Sequence, residues 1–101
     1  MNPAADHRHT FVVEHYWPGV AVEEFTETAD RVRASTQELG DGTAGIRFLH
    51  STLVPEDEAA FCVFAAASSA LVEEAYRRAG VSFERIVDGV EIAGSDGRPP
   101  Q

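Results

Sequence analysis

The sequence predicts an α+β domain in which two helices cover one face of a four-stranded antiparallel sheet. Three observations lead there. Segments rich in β-branched and aromatic residues alternate with two stretches of helical periodicity; their order is βαββαβ; and each helical stretch runs into a glycine.

Thr10-Phe11-Val12-Val13-Glu14-His15-Tyr16 reads as the first strand, and Trp17-Pro18-Gly19 ends it, since proline removes a backbone donor and glycine permits a turn. From Ala21 to Leu39 the apolar positions Val22, Phe25, Ala29, Val32 and Leu39 draw one stripe on a helix. Glu23 and Glu24 favour its positive end, Gly40 suits its close, and no capping side chain precedes it. Ile46 to Leu53 forms a second strand, Pro55-Glu56-Asp57-Glu58 a turn, and Ala60 to Ala65 a third strand, an antiparallel hairpin with the second. Ser68 or Ser69 can cap a helix over Ala70–Ala79, with Leu71, Val72, Ala75 and Tyr76 inward and Gly80 after it. The last strand runs from about Phe83 to Ile92, although Glu84, Arg85 and Asp88 interrupt its apolar pattern. The order is that of the ferredoxin-like sandwich, in which right-handed crossovers place both helices on one face.

A sheet with one wet face should alternate cleanly between apolar and polar residues. Here the first and third strands are apolar on both parities: Phe11 and Val13 against Val12 and Tyr16, then Phe61 and Val63 against Cys62 and Phe64. Both faces are expected to be covered, and a second copy of the chain is the economical cover, giving a homodimer that resembles a dimeric αβ-barrel.

The totals set bounds. With 101 residues, 44% hydrophobic and 25% charged, the chain is one domain in size and too apolar for wholesale disorder. The domain is expected over residues 10–92, with flexible tails at 1–9 and 93–101. A formal charge of −9 repels phosphate backbones and anionic lipid, so neither nucleic acid nor membrane is an expected partner. The charge suits cations, metal ions or basic partners; its plainer service is solubility. Cys62 is the sole cysteine, so no intramolecular disulfide can form. No apolar run approaches the ~20 residues of a membrane span, and Met1 to His9 lacks the apolar stretch of a signal peptide, so the expected location is the cytoplasm.

Three pieces carry a family resemblance: Phe11 to Gly19, with its acidic residue before an aromatic-Pro-Gly turn; Gly45-Ile46-Arg47-Phe48-Leu49-His50-Ser51; and Phe61-Cys62-Val63-Phe64-Ala65. Together they resemble a family of small bacterial proteins, a domain of unknown function whose best-known member is described as a nickel-binding protein with a dimeric ferredoxin-like fold. The likeness runs from about Thr10 to Ile92. It implies that fold and nickel as a possible cofactor. Many members carry a basic residue where this chain has His15, a departure that bears on any role for that position.

The residues able to bind a metal are few. His7 and His9 form a His-x-His pair in the polar tail, a type that takes up Ni²⁺ or Cu²⁺, though surface histidines mostly bind nothing. His50 lies within an apolar strand on the parity of Ile46, Phe48 and Thr52; it is either a hydrogen-bonded core residue or a metal ligand or general base. Glu14 and His15 leave a regular strand on opposite sides. Phe11 and Val13 are the more apolar set, so His15 belongs with the helices and Glu14 with the open face, unless a bulge near Trp17-Pro18 releases His15 too. There Glu14 needs an arginine such as Arg47 or Arg85, or a metal. Cys62 is a small buried hydrophobe or a soft ligand. Glu14, His50 and Cys62, with His15 in reserve, form the candidate metal set; whether they converge is left open.

No phosphate loop, Cys-x-x-Cys pair or nucleophile elbow occurs, so no catalytic class is indicated. The leading expectation is a small dimeric nickel-binding protein. The alternative is a dimeric αβ-barrel enzyme acting on a small aromatic or polyketide-like substrate, with His50, Tyr16, Glu14 and Trp17 around a pocket lined by Phe48, His50 and Phe64. A protein-interaction module is a third.

Overall fold

The computed structural model describes residues 9–40 and 45–92. The elements are β1 (His9–Tyr16), α1 (Val22–Gly40), β2 (Ile46–Val54), a 3₁₀ turn (Pro55–Asp57), β3 (Ala59–Ala66), α2 (Ser69–Ala79) and β4 (Arg85–Gly89). The strands form one sheet in the order β2-β3-β1-β4, every neighbouring pair antiparallel. This is the ferredoxin-like α+β sandwich expected. The expected tails at 1–9 and 93–101 lie outside the described residues, apart from His9, which opens β1.

The core lies between the sheet and the two helices. Val13 stands opposite Cys62 and Ile86, and Phe11 opposite Phe64; paired residues share a face, so these side chains meet the helices. Phe25 and Val32 of α1 and Val72, Ala75 and Tyr76 of α2 close over them. Tyr76 is fully buried and ties the aromatic groups together: its ring meets Phe64 edge-on at 5.9 Å and Phe83 at 5.2 Å, and Phe48 meets Phe64 at 5.1 Å. Edge-to-face pairs of this kind contribute roughly 0.5–1.5 kcal/mol beyond the area they bury. Ser35 lets the helices approach closely, and its buried hydroxyl donates to the Ala75 carbonyl at 2.7 Å.

Four local features depart from the sequence reading. The start of α1 does have a cap, supplied from inside the helix: the Glu24 carboxylate accepts the Ala21 backbone N–H at 3.0 Å, the half of a capping box that needs no N-cap side chain. Val22, placed on the apolar stripe, is exposed at the first turn of the helix. Ser68 takes the N-cap position of α2 in extended geometry, with no side-chain bond to the helix. The last strand is shorter than 83–92. Its final pair, Gly89 with Thr10, falls one residue from the start of β1, which leaves Val90 and Ile92 exposed. Phe83, before β4, turns inward onto Tyr76 instead.

The end of α2 follows its sequence signal. Gly80 takes φ +71°, its N–H bonds the Arg77 carbonyl, and the Val81 N–H bonds the Tyr76 carbonyl at 3.1 Å, a Schellman closure that a side chain at position 80 would strain. Among the described residues no helix is long and apolar enough to cross a membrane.

Phe64 is fully buried where β3 meets Phe48 and Tyr76. Phe64→Ala is expected to lower unfolding stability by roughly 3–5 kcal/mol, read from urea denaturation. A loss below about 1 kcal/mol would show that this packing does not carry the fold.

Candidate functional site

The sheet divides the candidate residues between its two sides. On the helix side, His15 is buried and its Nε2 lies 3.0 Å from the Tyr76 hydroxyl. Burial lowers the His15 pKa, and a backbone hydrogen bond with Ser82 works in the opposite direction. The Tyr76 hydroxyl holds Nε2, and with its pKa lowered by burial His15 is a neutral imidazole near pH 7. Cys62 is buried on the same side. Burial pushes its thiol pKa up, with the neighbouring Tyr76 hydroxyl opposing, and the phenol in turn is held well above its ordinary range by burial first and Cys62 second. None of the three is charged near neutrality, and a metal could take His15 Nε2 only by displacing the Tyr76 hydroxyl.

On the open side, Glu14 faces away from the helices as its parity requires. Arg85, its partner in the β1–β4 register, grips it with Nε to Oε1 at 2.8 Å and a second nitrogen to Oε2 at 3.4 Å. The expected arginine partner is therefore Arg85. The Glu14 side chain is 28% exposed and that of Arg85 66%, so the pair is wet on one flank and water screens it.

His50 corrects its expected side. Phe48 pairs with Phe64, but His50 pairs with Val63, so Leu49 is an extra residue without a partner, a β-bulge. Beyond the bulge the parity of β2 reverses. His50 leaves the company of Ile46 and Phe48 and stands exposed on the open face with Arg47 and Thr52. Glu14 and His50 thus share a face but are kept apart by β3, where Phe61 opposes Glu14 and Val63 opposes His50. Cys62 and His15 lie on the other side. Among the described residues no three of His, Cys, Asp and Glu come together to hold a metal ion. His9 is exposed at the start of β1, and His7 lies outside the described residues.

Around these donors, Val12, Phe61, Val63 and Val87 form an apolar strip down the middle of the open face, half-buried or buried by their own neighbours. Two cavities of about 460 Å³ each lie elsewhere. One sits between α1 and the edge of β2, with Phe48 and His50 in its wall; Phe64, expected beside them, is fully buried and takes no part. The other lies where β1 ends, between α1 and the segment joining α2 to β4, with His15 among its lining residues.

The strand bearing Glu14, the Arg47–His50 run and the Cys62 strand lie side by side in one sheet, and a family model spans residues 11–88, which contain them all. The chain belongs to the family described as nickel responsive protein SCO4226-like. Its structure is similar to the crystal structure of SCO4226 from Streptomyces coelicolor A3(2), with a TM-score of 0.70 and 16% identity over 83% of this chain and 99% of that one. At that identity the likeness is one of fold. No curated protein matches the sequence. The donors of one chain remain too dispersed to form a closed set.

The neutral His15 makes stability depend on pH. Its ordinary value is 6.5 and burial lowers it in the folded state. As pH falls through about 6.5, the unfolded chain takes up a proton that the folded chain refuses, so stability declines until the folded pKa is passed and then levels. Urea midpoints measured from pH 7.5 to 5.5 should therefore fall, and His15→Phe should flatten that slope. An equal slope in the variant would place its source elsewhere. Tyr76→Phe, which strips the His15 Nε2 of its hydrogen-bond partner, should cost about 1–3 kcal/mol at pH 7.5.

Proposed function

We propose that the protein binds nickel, and that it does so as a pair of identical chains whose open sheet faces meet. The observation that carries this reading is the composition of that face. An apolar strip of Val12, Phe61, Val63 and Val87 is flanked by His50 and by Glu14, the two candidate donors that reach this side of the sheet. Apolar residues in that arrangement call for a cover, and no described helix or strand of the chain lies over them. A second copy laid face to face would bury the strip and present a second His50 and a second Glu14.

The description of the family as nickel responsive supports the choice of metal. So does the donor type: imidazole Nε2 or Nδ1 of His50, with Glu14 able to exchange Arg85 for a cation. In this reading His15 and Cys62 serve the fold. A Cys62 ligand would first have to surrender a proton that burial holds in place, and His15 would have to abandon Tyr76.

Calorimetric titration with Ni²⁺, together with light scattering, tests both parts. The wild type should scatter as twice 10.9 kDa and take up nickel; Cys62→Ala should bind as the wild type does, and His50→Ala should bind at least roughly tenfold more weakly. Val63→Asp, which puts a charge in the middle of the strip, should give the single-chain particle and lose nickel with it. A wild type that scatters as one chain, or equal weak heats from wild type and His50→Ala, would overturn the proposal.

A further inference from the structure

The cavity at the end of β1 takes no part in the open-face reading, and its lining is specific. It has a volume of about 460 Å³, within the range of small-molecule sites. His15 is among its lining residues, neutral near pH 7 and held to Tyr76 through Nε2, so it presents an aromatic surface without charge. Trp17 and Phe83 supply apolar walls. Two charged side chains line it, and they are of opposite sign: Arg31 from α1 and Glu84 at the head of β4.

These two charges do not neutralise each other. Among the described residues neither has an ion-pair partner within 4.0 Å, although Arg33, Arg77, Arg78 and Arg85 all do. Arg31 is also held in place. One of its terminal nitrogens donates to the Ala79 carbonyl at 2.6 Å, at the C-terminal end of α2, and the guanidinium lies over Gly80, whose absent Cβ would stand 3.5 Å from it. A guanidinium has five N–H donors, so most remain for a ligand. Glu84 is anchored through its backbone, its N–H donating to the Glu14 carbonyl at 2.7 Å.

A cation from α1 and an anion beside β4, not paired with each other and lining one pocket with aromatic residues, call for a ligand with both charges and an apolar body. A simple anion would have to approach a chain of net charge −9 and meet Glu84; a simple cation would have no use for Arg31. We infer that this cavity binds a small zwitterion, an amino acid with an apolar or aromatic side chain, its carboxylate on Arg31, its ammonium on Glu84 and its side chain between Trp17 and Phe83. Charge-assisted bonds at both ends would fix its orientation.

L-Phenylalanine is the probe, with 3-phenylpropionate and phenethylamine as its two single-charge analogues, followed through the amide shifts of Trp17 and Ser82 in the full chain. L-Phenylalanine should bind with a dissociation constant at or below roughly 1 mM, and each analogue roughly tenfold more weakly. Arg31→Gln should abolish the preference over phenethylamine, and Glu84→Gln the preference over 3-phenylpropionate. Both residues are exposed, so both variants should keep the fold. No shifts at about 10 mM probe, analogues that bind as well as the amino acid, or variants that retain the wild-type preferences would each overturn the assignment.

Discussion

A phenol sealed inside a hydrophobic core has to find its hydrogen bonds there, and Tyr76 imposes that constraint on everything around it. Its ring packs on Phe64 and Phe83, while its hydroxyl sits between His15 and Cys62. Leaving such a hydroxyl unpaired costs about 1–3 kcal/mol, so the surrounding polar groups cannot vary independently. His15 is kept neutral and Cys62 is kept a thiol. No buried side-chain nitrogen or oxygen among the described residues lacks a partner. The polar residues of the helix side are therefore a closed set, committed to structure.

That closure decides where chemistry with the outside can occur. Residues that looked interchangeable as ligands in the sequence are sorted by which side of one sheet they leave. His15 and Cys62 are spent on Tyr76; Glu14 and His50 stand on the open face beside an apolar strip.

Much of this sorting was legible beforehand. The alternation in β1 put Phe11, Val13 and His15 on one side and Glu14 on the other, because a regular strand has a strict period of two. The element order, the glycine after α2 and the pairing of β2 with β3 followed from turn chemistry and β-branched runs. His50 was misplaced because nothing in Arg47-Phe48-Leu49-His50 announces a bulge: an extra residue is a property of two strands in register, and the signal resides in β3 as much as in β2. The Glu24 cap is hidden for a simpler reason: an acidic residue in the first turn serves the helix dipole equally well, and only the fold shows its carboxylate turned back to the Ala21 N–H. The short β4 reflects its partner, since a strand can pair no further than β1 extends. Neither Arg31 nor Glu84 carried any pattern at all; their meeting at one cavity depends on where α1, α2 and β4 end in space.

The bulge at Leu49 has a bearing on solubility as well. β2 borders the sheet, and a flat border strand is a template onto which further chains can add without limit. An unpaired residue in its middle bends that rim and breaks the regular ladder an incoming strand would need, and Arg47, His50 and Thr52 dress it with polar groups. Growth in the plane of the sheet is discouraged at the very position that aims an imidazole outward, so one inserted residue both blunts the rim and points a donor at the surroundings.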